Sequence, residues 1–227
     1  MLYWLTLLSD GGDVFNLFRY ITFRAGGAFL TALVFGFAFG PAMIGWLRVK
    51  QGKGQPIRAD GPQSHIAKAG TPTMGGLLII SALLFSTLLW ARWDNPFIWM
   101  ILFVTLSFAA LGFADDYAKV KKQSSAGVSG RVRLAIGFVV AGIAGWWAAA
   151  YHPDALAFRV AFPFFKDFLL NIGLLFVPFA MLVIVGAANA VNLTDGLDGL
   201  AVMPVMIAAA TFGAIAYAVG RTAFTEY

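Results

Sequence analysis

Residues 96–122 read PFIWMILFVTLSFAALGFADDYAKVKK. The part from 96 to 114 holds no Asp, Glu, Lys or Arg. It is about as long as the ~20 apolar residues a helix needs to cross a bilayer core. Two adjacent aspartates and three lysines follow at once. The pattern is an apolar span that ends abruptly in a charged connection.

The rest of the chain repeats that theme. Of its 227 residues 60% are hydrophobic and 12% charged, with a mean hydropathy of +0.79. A soluble domain carries about a quarter charged residues, so most of this chain belongs in lipid. Besides 96–114, five stretches qualify as spans: 25–47, 74–91, 134–151, 168–191 and 199–219. The expected fold is an all-α polytopic membrane protein with six spans. It forms one integral membrane domain over 1–227, in which 1–24 is a periplasmic or interfacial N-terminus. Within that N-terminus, 14-VFNLFRYITFR-24 reads as an interfacial helix. Pro41, Pro178 and Pro204 fall inside spans, where neighbouring helices can satisfy the freed carbonyls. Trp46, Trp90, Trp93, Trp99, Trp146 and Trp147 cluster near span ends, as in an aromatic belt. The start MLYWLTLLSDGGD has no basic n-region and no small-residue cleavage site, so it does not read as a signal peptide. There is no cysteine, which excludes disulfides.

Basic residues set the orientation. Arg48, Lys50, Lys53, Arg58 and Lys68 lie in the connection 48–73, and Lys119, Lys121, Lys122, Arg131 and Arg133 in 115–133. Together they are ten of the sixteen Lys and Arg. The positive-inside rule places both connections in the cytoplasm and the N-terminus outside. The net charge of +5 therefore reports topology rather than nucleic-acid binding. Alternation then puts the connection 192–198 on the cytoplasmic side too, so Asp115, Asp116, Asp195 and Asp198 share one face.

Each polar segment has a plain explanation beside a chemical one. Asp115 and Asp116 could be interfacial acids paired with Lys119 and Lys122; the spacings from the two aspartates to Lys119 are i,i+4 and i,i+3. In 189-NAVNLTDGLDGLA-201, Asn192 or Asp195 could cap the next helix, but a cap accounts for one acid and not two. Two acidic pairs at one membrane face, beside ten basic residues, favour a site for a metal and phosphates. Carboxylates hold Mg²⁺ with phosphates and water, lysines supply point charges, and phosphoryl transfer uses both. The Gly/Pro-rich connection 60-DGPQSHIAKAGTPTMGG-76 adds Lys68 to the candidate site, while His65 reads as solvated. The backbone N–H groups that Gly75 and Gly76 present at the start of a span suit an anion. His152 and the segment 160-VAFPFFKDF-168 read as interfacial, the latter as an amphipathic piece on the outer surface.

TPTMGG (71–76), the DDY of 115–117 and NAVNLTDGLDGLA (189–201), with FRYITFRA (18–25) and PFFKD (163–167), resemble the family of bacterial phospho-N-acetylmuramoyl-pentapeptide transferases. That family belongs to the polyprenyl-phosphate hexosamine-1-phosphate transferase superfamily. The resemblance runs along the whole chain. It implies transfer of phospho-MurNAc-pentapeptide from its UDP-linked precursor to undecaprenyl phosphate, giving lipid I and UMP. This is the first membrane step of peptidoglycan synthesis, at the bacterial inner membrane, with Mg²⁺. By resemblance Asp115, Asp116 and Asp195 are catalytic, Asp115 as base toward the lipid phosphate and Asp116 ordering metal or pyrophosphate. Lys68, Lys119, Asn192 and Asp198 bind substrate, and Asp115 and Asp116 bind metal. Implied partners are UDP-MurNAc-pentapeptide, undecaprenyl phosphate and membrane lipids, with no nucleic acid; a homodimer is left open. Family members continue for several helices, with a further acidic metal ligand and a His-rich loop absent from these residues. The expectation is that these 227 residues alone show no transfer.

Three other functions compete. A sister enzyme would use UDP-GlcNAc, and UMP release with each nucleotide sugar separates the two. A proton- or ion-coupled transporter would want acids near mid-membrane, and a flux assay in liposomes tests it. An inactive membrane scaffold would bind no UDP-sugar in the presence of Mg²⁺.

Overall fold

The structure, a computed structural model, describes residues 1–52, 72–123, 127–153, 156–162, 165, 168–194 and 200–220. Six helices dominate the described residues: α1 (Ile21–Gln51), α2 (Gly76–Trp90), α3 (Pro96–Lys122), α4 (Gly130–Tyr151), α5 (Phe176–Thr194) and α6 (Val202–Val219). Five are long and apolar enough to cross a membrane, α5 together with the 3₁₀ turn Gly173–Leu175 that leads into it. The sixth, α2, has 15 residues. At 1.5 Å per residue it reaches about 22 Å, short of the ~30 Å hydrocarbon core. The all-α polytopic membrane fold read from the sequence is the one observed.

Several boundaries differ from expectation, each for a local reason. Asn95 accepts a hydrogen bond from the Phe97 N–H at 2.9 Å and Pro96 takes the first helical position, which fixes the start of α3. Helix α3 does not stop at 114 but runs on to Lys122, ending at Gln123 in the left-handed conformation (φ 45°). The aspartate pair therefore sits on a rigid helix rather than in a loop. The stretch 14–24 is not one interfacial helix: a 3₁₀ turn, Val14–Arg19, ends at extended Tyr20 and α1 begins at Ile21. The expected span 168–191 begins too early. Leu169–Asn171 (β2) instead pairs antiparallel with Arg159–Ala161 (β1), with Val160 opposite Leu170. That hairpin also replaces the amphipathic piece expected at 160–168, of which 163, 164, 166 and 167 lie outside the described residues. Pro41, Pro178 and Pro204 all lie inside spans, Pro41 in the middle of α1 and the other two in the first turns of α5 and α6, where a missing N–H costs little.

The pairs α1 and α2, α3 and α4, and α4 and α5 run antiparallel. Gly40 faces Leu78, and Gly27 lies under the Trp90 ring, which zips α1 to α2. Small residues on α4 admit α5: Gly137 meets Val185, Gly142 meets Met181, and Gly145 meets Ala180 and Val177. Thr22 and Tyr217 share a hydrogen bond of 3.1 Å that ties the end of α6 to the start of α1. The buried core is thin, with Leu102, Leu111, Val140, Ala141, Ala144 and Val185 between α3, α4 and α5. Large apolar side chains such as Phe37, Phe29 and Ile207 face outward, as a bilayer solvent allows.

This packing sorts the helix ends into two faces. One collects Gln51, Thr73, Asp115, Val128 and the C-terminal end of α5. The other collects the N-terminus, the 91–95 turn, His152 beside Phe97, and the hairpin. On that second face Arg92 binds Asp94 and holds its carboxyl below the usual carboxylate range.

A packing prediction follows at Gly27. A methyl group there would run into the six-membered ring of Trp90, 2.7 Å from Cζ3 and nearer still to two other ring atoms. The ring cannot step aside easily, because its Nε1 donates to Thr31 Oγ1 at 2.9 Å and it stacks on Phe18 at 5.9 Å. Overpacking of this kind costs roughly 1–3 kcal/mol. Gly27→Ala is expected to lower the thermal unfolding midpoint of the detergent-solubilised protein, measured against Gly26→Ala, where nothing lies within 4 Å.

Candidate active site

The site grows from the polar end of α3. Asp115 is 8% exposed, one of two buried polar or charged residues among those described. Lys119 lies one turn on, and its Nζ reaches Asp115 Oδ2 at 2.6 Å and Asp116 Oδ1 at 3.5 Å. The i,i+4 and i,i+3 spacings seen in the sequence thus become contacts to a single ammonium. Lys122, the other expected partner, is exposed and makes no ion pair among the described residues.

Each carboxylate has a second anchor from elsewhere in the chain. The Val128 N–H donates to Asp115 Oδ1 at 2.7 Å. Gly127 packs so closely that a Cβ there would overlap Oδ1 outright and lie 2.7 Å from Cγ. Thr73 Oγ1 donates to Asp116 Oδ2 at 3.0 Å. Thr73 is itself held by Gln51, whose Nε2 donates to the Thr73 carbonyl at 2.9 Å and whose Oε1 accepts its N–H at 2.8 Å. All four carboxylate oxygens are thus engaged once, and each keeps a further lone-pair direction.

The other expected site residues divide in two. Asn192 lies exposed in the last turn of α5. The antiparallel pairing of α4 with α5 carries that turn to the end of the bundle where α4 begins, beside Val128. Lys68, Asp195 and Asp198 lie outside the described residues, as does His65. Thr73, Gln51, Gly127 and Val128 are additions that the sequence reading did not assign. TPTMGG marked the neighbourhood of Thr73, but nothing local marks Gln51 or Gly127.

The donor set bears on a metal. Among the described residues no group of three or more His, Cys, Asp or Glu comes together. Two carboxylates converging on one positive charge do suit Mg²⁺, a hard cation that commonly takes one or two carboxylates plus phosphate and water oxygens. The Lys119 ammonium stands where such a cation would be attracted.

Known proteins bear on the same segments. Residues 68–80, which include Lys68 and Thr73, match signature 1 of the phospho-N-acetylmuramoyl-pentapeptide-transferases. A protein of Ruegeria sp. (strain TM1040) named phospho-N-acetylmuramoyl-pentapeptide-transferase is 72% identical over 227 residues, covering 100% of this chain and 63% of the relative. Its namesake in Ruegeria pomeroyi (strain ATCC 700808 / DSM 15171 / DSS-3) is 72% identical with the same coverage. That of Dinoroseobacter shibae (strain DSM 16493 / NCIMB 14021 / DFL 12) is 68% identical over 228 residues, again at 100% and 63%. The chain thus spans 63% of the length of these relatives. Residues 98–227, from the first turn of α3 through the aspartate pair to the last residue, match a single family over more than half of the sequence, and the chain belongs to glycosyl transferase family 4.

Proposed function

We propose that the protein carrying this chain transfers phospho-MurNAc-pentapeptide from its UDP-linked precursor to undecaprenyl phosphate, releasing UMP and forming lipid I. The observation that carries this reading is the Asp115–Lys119–Asp116 cluster, pinned by Thr73 of the signature segment at one end of a membrane bundle. The relatives' name and their identity to this chain support it.

In this mechanism an oxygen of the lipid phosphate forms a bond to the sugar-bound phosphorus of the nucleotide sugar. The pyrophosphate P–O bond breaks, and UMP leaves with the electron pair. Asp115, buried and fixed on two sides, accepts the proton of the lipid phosphate so that the attacking oxygen is anionic. Lys119 meets the incoming phosphates as a cation that already sits against both carboxylates. Asp116, aimed by Thr73, orders the diphosphate. Asn192, with Lys68, Asp195 and Asp198, binds the nucleotide sugar or assists transfer, at the end of the bundle where α5 finishes. Asp115 and Asp116 would hold Mg²⁺. When bound, that ion supplies neutralisation of phosphate charge.

The face carrying the site is cytoplasmic in this proposal, and the membrane is the bacterial inner membrane. Arg48, Lys50, Lys119, Lys121, Lys122, Arg131 and Arg133 gather there, whereas Arg19, Arg24, Arg92 and Arg159 lie at the opposite end. That asymmetry matches the positive-inside rule and would also draw anionic headgroups.

The test is UMP release by the full-length protein in membranes or nanodiscs supplied with undecaprenyl phosphate. Release is expected with UDP-MurNAc-pentapeptide, to be much weaker with UDP-GlcNAc, and to stop when EDTA removes Mg²⁺. Preference for UDP-GlcNAc would establish the sister reaction instead. Proton flux without nucleotide would point to a transporter.

A further inference from the structure

Gln51 is the last residue of α1, and its side chain behaves toward Thr73 as a neighbouring peptide group would. One amide donates to the Thr73 carbonyl and accepts from the Thr73 N–H, at 2.9 and 2.8 Å, across 22 positions of sequence. Thr73 needs such support. It precedes Met74, which holds a left-handed backbone (φ 67°) that side-chain-bearing residues seldom adopt. It also stands before the first turn of α2, whose opening hydrogen bonds begin with the carbonyls of Met74 and Gly75. The helix therefore does not fix Thr73. Among the described residues Gln51 alone binds its main chain.

The two aspartates differ in their dependence on this contact. Asp115 is fixed by Val128 and walled by Gly127, both just ahead of α4. Asp116 takes its second anchor only from the Thr73 hydroxyl. We propose that Gln51 is a positioning residue: through the Thr73 backbone it sets the orientation of Asp116 toward a divalent cation and leaves Asp115 untouched. The inference rests on the proposed function only for the use made of the cation. The latch and the cation binding are measurable without turnover.

The experiment uses the full-length protein in detergent with Mn²⁺ alone as probe, its binding read from the EPR signal, and amide hydrogen exchange at Thr73. Partners that orient metal-binding carboxylates are worth about 10- to 100-fold in affinity. Gln51→Ala is expected to speed exchange at Thr73 and to weaken Mn²⁺ binding about tenfold. Thr73→Val is expected to weaken Mn²⁺ equally while the backbone amide at position 73 stays protected, and Thr73→Ser to bind as the wild type does. The double variant Gln51→Ala with Thr73→Val should be no weaker than either single one, because the two act in series. Additive losses, unchanged exchange in Gln51→Ala, or no Mn²⁺ binding by the wild type would each overturn the proposal. If exchange and Mn²⁺ binding behave as described while no UMP is released from any nucleotide sugar, the latch stands and the transferase reading falls.

Discussion

Asparagine in place of Asp115 is expected to lower kcat for UMP release by about a hundred- to ten-thousandfold, the range over which a positioned proton acceptor contributes. The geometry says why the loss should be chemical. Asparagine keeps the shape and can still accept the Val128 N–H through Oδ1. What it loses is the negative charge facing Lys119 at 2.6 Å and the ability to take a proton. Lys119 retains Asp116 as a partner at 3.5 Å, so the ammonium is not left alone. The full-length variant should therefore purify and elute like the wild type. At saturating Mg²⁺ its KM for the nucleotide sugar should move little, since the proton transfer removed acts in the transition state. A kcat within threefold of wild type would remove Asp115 from the chemistry and reduce the pair to interfacial ion pairing.

How much of this was legible beforehand divides along sequence distance. The spans announce themselves because lipid demands uninterrupted apolar runs, and all six expected spans correspond to helices. The link from Asp115 and Asp116 to Lys119 was legible because helix geometry alone brings i+3 and i+4 neighbours together. Gathering Gln51, Thr73, Asp116 and Val128 at one end depends on antiparallel pairing, which counting spans does anticipate. The particular partners do not follow from counting. Gln51 reads as one more polar residue in a basic connection, and its bonds to Thr73 exist only once α1 and α2 are packed. The hairpin at 159–171 escaped because Leu169 and Leu170 extend the apolar run of the helix that follows, and hydropathy cannot separate a short strand from a helix start. The acids at 195 and 198 and the lysine at 68 were assigned from motif resemblance, and they lie outside the described residues.

The second large effect is expected at Gly127, a residue with no functional group. A methyl group there would occupy the position of Asp115 Oδ1 and lie 3.0 Å from Oδ2. What must move is a side-chain end rather than backbone, so the bundle is expected to survive Gly127→Ala with its unfolding midpoint little changed. The carboxylate cannot move without consequence. Turning it away from residue 127 breaks the 2.7 Å bond from the Val128 N–H, and a hydrogen bond to a charged group is worth about 1.5–3 kcal/mol. It also pulls Oδ2 from Lys119, the contact that joins the two halves of the cluster. A base displaced by even 1 Å from its productive position can cost about a hundredfold in rate. Gly127→Ala is therefore expected to reduce kcat about a hundredfold while the protein stays folded. Gly130→Ala supplies the control: three residues on, at the first position of α4, an added Cβ meets nothing within 4 Å, and its kcat should match wild type. If Gly127→Ala and Gly130→Ala prove equally active, the wall beside Asp115 is not part of what holds the base. If both are equally impaired, the 127–130 segment matters for folding rather than for placing a carboxylate.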